Sequence, residues 1–268
     1  MELGGAYMFS SCYSLTTVRN LPPILTTYRD VDSQMFRNCT SLQTIDLSNV
    51  TMIGSCCFMG CTSLSNITSL DNVQLIMHGA FFNTPALNVD VYLPSLNANA
   101  TIAGTGWSQG RMEKDTFMKS GIRSITIPEN TNLTGFWDGG SYYGAVDEPS
   151  GRATYWRHGT FAYCQNLQFV DLPSSVNYIG KSTFIICPSM RYMKIRATIP
   201  PTLGDNDRTT DDFPFDNPDR ANSPSGRTSY PIYVPDASVT AYQAASGWSE
   251  IASRIKPLSD FATDFPNG

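Results

Sequence analysis

The sequence predicts a mainly β chain with minor α content, wound into stacked coils and closed by a C-terminal helix. Two periodic patterns and one compositional fact carry that prediction. Phe-x-x-Cys-x-x-Leu recurs along the chain, and a Leu-x-x-Ile-x-Leu spacing follows it. The 268 residues are 41% hydrophobic and 15% charged, with a formal net charge of −5. Charged residues are thus well below the roughly 25% usual for soluble chains, which excludes general disorder. Without a basic run, the acidic balance argues against binding a nucleic-acid backbone. Apolar stretches stop far short of the roughly 18 residues of a membrane span. Two histidines, His78 and His158, leave little for a histidine-rich metal site.

Full copies of the first pattern begin at Phe9, Phe36, Phe58, Phe161 and Phe184, with Cys12, Cys39, Cys61, Cys164 and Cys187 at the fourth position. Degenerate copies at Phe81 and Phe117 carry Thr84 and Ser120 there. A small residue is therefore required at that position and a thiol is not. Buried cysteine acts as a small hydrophobe with a weak donor, so these five cysteines are expected as free, stacked thiols. Successive phenylalanines lie 27, 22, 23, 36, 44 and 23 residues apart, which gives a period of 22 to 23 with insertions in the middle.

The second pattern recurs as Leu42-x-x-Ile45-x-Leu47, Ile122-x-x-Ile125-x-Ile127, Leu167-x-x-Val170-x-Leu172 and Met190-x-x-Met193-x-Ile195. Alternating apolar residues place one face of a short strand inward. Pro94, Pro128 and Pro173 close such strands where no further donor is needed. Ile53-Gly54 and Ile179-Gly180 mark a second extended segment before the next phenylalanine. One unit cannot bury its apolar face alone, whereas stacked units can.

These residues resemble the BspA-type leucine-rich repeat, and Leu167 to Cys187 departs from its pattern only at Thr183, where the pattern has Ala. The resemblance runs over about residues 4 to 258. It implies a right-handed leucine-rich repeat solenoid of about seven to eight irregular coils, mainly β with minor α. One domain is expected over 1–258, with insertions at 97–115, 129–159 and 204–229, a closing helix at about 236–246 and a loose tail at 259–268. Asp236 is expected to N-cap that helix, with Val239, Tyr242 and Ala245 on its apolar face and Gly247 beyond its end. Tyr230 to Pro235, Ala241-Tyr242, Gly247-Trp248 and Ile255 to Pro257 are similar to the C-terminal closure of gut Bacteroidales surface proteins of this family. Gly4 to Phe9 looks like half a repeat, so an upstream domain or partner subunit is expected over that end.

Insertions in a solenoid emerge as loops, where binding surfaces are built. The 129–159 segment holds Phe136, Trp137, Tyr142, Tyr143, Tyr155 and Trp156, and Trp107 lies in 97–115. Rings beside glycines give flat apolar area at low entropic cost. Trp137, Tyr142, Tyr143, Tyr155, Trp156 and Trp107 are therefore the candidate ligand-binding residues, with local packing on the solenoid flank as the alternative. Asp205, Asp207, Asp211 and Asp212 supply hard oxygen ligands for Ca2+, although the EF-hand spacing is absent and a solvated acidic loop is the plainer reading. No other cofactor is implied.

Gly106-x-Ser108-x-Gly110, with Asp147 and His158 following, matches the order of a hydrolase triad. The flanking repeats deny Ser108 the strand-to-helix turn that this chemistry needs, so the match is read as chance. Asp138, Asp147 and Glu148 offer carboxylates without a fixed separation for glycosidic chemistry. His158 could pair with Cys164 only outside the buried thiol ladder.

The expected function is a non-enzymatic recognition or adhesion module for a host or microbial surface protein or glycan. The expected localisation is extracellular or cell-surface. The alternative is a structural or receptor-binding component of a bacteriophage virion or tail. A hydrolase resting on the loop motifs comes third. No signal peptide is visible and no transmembrane segment is expected.

Overall fold

The computed structural model describes residues 7–25, 34–97, 111–137, 159–204, 213–215 and 229–266. The alternation of inward and outward residues yields very short strands. In the first half these are β1 (Thr17–Val18), β2 (Ile24–Leu25), β3 (Thr44–Ile45), β4 (Met52–Ile53), β5 (Asn66–Ile67), β6 (Leu75–Ile76) and β7 (Asp90–Tyr92). Then come β8 (Arg111–Met112), β9 (Ser124–Thr126), β10 (Gly135–Phe136), β11 (Phe169–Leu172) and β12 (Tyr178–Ile179). The last are β13 (Tyr192–Ile195), β14 (Thr202–Leu203), β15 (Ile232–Val234) and β16 (Ile255–Pro257).

Every pairing is parallel. β1-β3-β5 and β2-β4-β6 form two sheets in the first half, and β7-β9-β11-β13-β15-β16 and β8-β10-β12-β14 form two in the second. From β1 to β14 successive strands alternate between the two sheets of each half, whereas the last two, β15 and β16, both join the six-stranded sheet. Inward positions align across turns, as in Val91, Ile125, Val170, Met193, Ile232 and Ile255. These residues belong to one hydrophobic core that runs from Leu21 to Ile255.

The repeated phenylalanines form a column through that core. Phe9, Phe36, Phe58, Phe81, Phe117, Phe161, Phe184 and Phe215 stack ring on ring, with centroids 5.1 to 6.0 Å apart. Around each ring the backbone forms a further ladder. The N–H of Phe36 donates to Cys57 O, that of Phe58 to Ala80 O, that of Phe81 to Thr116 O and that of Phe117 to Thr160 O. Two residues after the phenylalanine, the N–H donates in the same direction, as from Asn38 to Met59 O and from Lys119 to Ala162 O. That geometry puts Ser11, Asn38, Gly60, Asn83, Lys119, Tyr163 and Ile186 at φ between 55° and 74°. Glycine takes this conformation freely, and asparagine tolerates it. Lysine, tyrosine and isoleucine are held there by the stacking around them.

The cysteines face the same ladder. Cys39 Sγ donates to Phe9 O at 3.0 Å, Cys61 Sγ to Phe36 O at 3.1 Å and Cys187 Sγ to Phe161 O at 3.2 Å. Thr84 and Ser120, in the degenerate copies, hydrogen-bond each other at 3.1 Å. All seven cysteines are free thiols.

Several sequence expectations are corrected. Phe136, read as part of an aromatic loop, is a fully buried core residue whose ring meets Phe161 and Phe184 edge-on. It takes the inward place in β10 that Ile179 takes in β12, and Gly135 beside it lies so near Tyr178 O that a Cβ would meet that oxygen. Residues 111–112 are likewise strand, paired with β10. Phe213 and Phe215, inside the acidic segment, are buried, and Phe215 extends the ring column.

The C-terminal closure is a 3-10 turn (Asp236–Ser238) followed by α1 (Val239–Ala244). Asp236 does not cap it: its carboxylate accepts the N–H of Ser259 at 3.0 Å. Tyr242 and Trp248 meet edge-on at 4.9 Å, and Trp248 covers Phe215 at 5.5 Å. The Tyr242 hydroxyl donates to Ala197 O and Trp248 Nε1 to Pro201 O, so both polar ends are satisfied where the rings are buried. The segment read as a loose tail, 259–268, instead holds the end of a 3-10 turn (Leu258–Asp260) and α2 (Phe261–Asp264), which packs on the sheet.

Candidate functional site

The outward positions of the six-stranded sheet form two rows. One carries Asp90, Ser124, Phe169 and Tyr192; the other carries Tyr92, Thr126, Asp171, Lys194, Tyr233 and Lys256. At the β7 end this face is polar and open. Asp90 pairs with Arg123 at 2.6 Å and accepts Ser124 Oγ at 2.9 Å, while the Tyr92 ring is 49% exposed. Further along, Arg196 pairs with Asp171 at 2.6 Å. Burial pushes the Asp171 carboxyl up, against the pull of Arg196 and Lys194.

At the β16 end the same face turns aromatic. Tyr192 and Tyr233 point outward yet are almost fully buried, because α2 lies across them. Burial, then the hydrogen bond to Asp264, raises the Tyr233 hydroxyl well above its ordinary range. Burial lowers Lys194. Sequence reading missed this cluster. Its signal is the appearance of Phe169 and Tyr192 where other turns carry Thr17, Thr44, Asn66, Asp90 and Ser124.

On the neighbouring sheet, Trp137 follows directly after the buried Phe136. Its side chain is half-buried, and its N–H donates to Met112 O at 3.0 Å. Trp137 thus extends the backbone pairing of β10 with β8 by one residue. Trp107, Tyr142, Tyr143, Tyr155 and Trp156 lie outside the described residues, as do Asp205, Asp207, Asp211 and Asp212. So do Ser108, Asp138, Asp147, Glu148 and His158. Among the described residues, no group of three or more His, Cys, Asp or Glu side chains could hold a metal ion.

His78 Nδ1 lies 3.0 Å from Lys114 O and 3.9 Å from Asp115 Oδ2. Burial raises the Glu113 carboxyl, with His78 opposing. Cys164 Sγ donates to Phe117 O, and burial pushes its thiol up to about 12, which disfavours the thiolate.

The BspA type leucine rich repeat region matches residues 5–101 and 145–203 in six copies, more than half of the chain. The chain belongs to this family of leucine-rich repeat proteins. A crystal structure of a leucine-rich repeat protein from Bacteroides ovatus is similar at 22% identity, over 71% of this chain and 45% of that one, with a TM-score of 0.45. This chain therefore spans less than half of that protein's length. No curated protein matches the sequence. The unmatched stretch between the two regions includes Phe117 and β9, which stay in phase with the ring column and the sheet. No helix among the described residues is long and apolar enough to cross a membrane.

Proposed function

We propose that the chain is a non-enzymatic recognition module, displayed extracellularly or at a cell surface, that binds a host or microbial surface protein or glycan. In this reading it is a right-handed solenoid of about seven to eight coils. The observation that carries the reading is the placement of Trp137. A half-buried ring, fixed by its backbone to β8, stands next to a core residue and opens the segment that holds Tyr142, Tyr143, Tyr155 and Trp156. Rings anchored to a rigid scaffold keep their area available without an ordering cost at binding. A continuous core leaves the stack stiff, which suits a large partner better than a small substrate.

The test is a screen of the purified chain against immobilised matrix proteins, host glycans and bacterial surface polysaccharides, with light scattering on the same sample. Saturable binding by a monomer supports recognition at a cell surface. A stable homotrimer that binds nothing would replace this reading with the virion one.

A further inference from the structure

A second surface, separate from the Trp137 flank, carries its own inference. Apart from the exposed Tyr92 on β7, the outward positions of the six-stranded sheet are polar except in three adjacent strands, where Phe169, Tyr192 and Tyr233 stand among Arg191, Lys194 and Lys256. The chain itself covers them. It leaves β16 at Pro257, folds back and lays α2 over the two tyrosines.

Three side chains make the contact. Phe261 meets Tyr192 edge-on at 4.7 Å and Tyr233 at 5.2 Å, with Lys194 Nζ 3.3 Å from its ring centroid. Phe265 lies 4.7 Å from Tyr192, and the Arg191 guanidinium sits over both Phe265 and Phe169. Asp264 accepts the Tyr233 hydroxyl at 2.5 Å and Lys256 Nζ at 2.7 Å. The remainder of α2, Ala262 and Thr263, is exposed. A four-residue helix without a side-chain cap has no stability of its own, so it is held by these contacts and by its tether.

We propose that this face is a docking surface for an acidic helical turn bearing two phenylalanines four residues apart. In the isolated chain it is filled by residues 261–265, and the same motif on a partner protein competes for it. Two ring seats between cations and one carboxylate seat at Tyr233 and Lys256 define the recognition. The resident segment offers one ligand for each seat. Because it is tethered, a partner gains the surface only at high local concentration or after the resident segment is released.

The experiment uses the full chain and its Phe261→Ala/Phe265→Ala variant, with a fluorescent peptide of the sequence 257–268 as probe. The variant is expected to bind the peptide at least about tenfold more tightly than the parent does. An Asp-to-Asn change in the peptide at the position of Asp264 is expected to weaken that binding severalfold. A variant that melts as a folded protein and does not bind the peptide overturns the proposal. A second measurement needs no variant: amide exchange in the parent. Residues 261–265 are expected to exchange at least about tenfold faster than Tyr192–Ile195 and Ile232–Val234, because the segment opens without the sheet. Equal protection would make it part of the cooperative fold and would also overturn the proposal.

Discussion

Cys164 Sγ lies 2.9 Å from the carbonyl oxygen of Phe117, the ring-bearing residue of the preceding repeat. That oxygen also accepts the N–H of Ser120 at 2.9 Å, so the thiol takes its second acceptor site. A weak donor of the right size thus ties neighbouring turns together where only a small side chain fits. Cys164→Ser keeps a donor, as Thr84 and Ser120 do in other turns, and should cost less than Cys164→Ala. The alanine loses both the contact and volume, for about 1–2 kcal/mol. Urea unfolding of both variants checks the order, and a costlier serine would contradict a donor role.

Thiol reactivity should follow burial. Cys61 and Cys164 are pushed up to about 12 by desolvation, whereas Cys12 is exposed. A thiol reagent at pH 8 should modify Cys12 first and reach the buried residues only on unfolding. Intact mass in denaturant, with and without reductant, should not differ. A mass lower by two protons without reductant would reveal a disulfide.

The ring column should dominate stability. Phe161 stacks between Phe117 and Phe184 and meets Phe136 edge-on. Phe161→Ala should cost about 3–5 kcal/mol, and Phe136→Ala a similar amount, because both leave core cavities. Trp137→Ala should cost far less. Similar losses at Phe136 and Trp137 would contradict the division between core and flank.

Much of this column is legible in the sequence, since six of its rings open a Phe-x-x-small-x-x-apolar motif and Phe117 opens a copy one residue shorter, ending at Ile122. Phe215 is not, because Asp216-Asn217-Pro218 follows it and no apolar residue keeps the phase. Phe136 hides for a different reason: its strand reads Gly-Phe where other turns read Met-Ile, Leu-Ile or Tyr-Ile. Only the pairing of Phe136 with Ile179 shows that it points inward. Phe261 and Phe265 lie past the last repeat, in a segment too short for a periodic signal, and only the sheet gives them something to cover. Of the candidate binding aromatics, Trp137 is the one that the described residues place.

The left-handed column offers a stabilising change. Lys119 sits at φ 56 with its N–H bonded to Ala162 O. Lys119→Gly keeps that bond and relieves the backbone, so it should gain up to about 1 kcal/mol. The distant contact of its ammonium with Phe82, at 6.0 Å, is a small loss by comparison. Thermal melting measures the sign, and destabilisation would show that the side chain contributes more than the strain costs.

Acid should loosen the first half through Asp46. Hydrogen bonds from Ser48 and Thr68 lower its carboxyl to about 2, from an ordinary value of 3.8. A folded value below the unfolded one means a stabilising contribution that is present above pH 3.8 and lost as pH falls toward 2. The stability gap between parent and Asp46→Asn should therefore shrink across that window. A gap independent of pH would contradict the assignment.

The most direct test of recognition is the affinity of the parent and of a Trp137→Ala/Tyr142→Ala/Tyr143→Ala variant for a ligand found in the screen. The account predicts at least about a tenfold loss of affinity, worth about 1.4 kcal/mol or more, in a variant that melts within a few degrees of the parent. Unchanged affinity in the folded variant would contradict it and place the binding surface elsewhere on the stack.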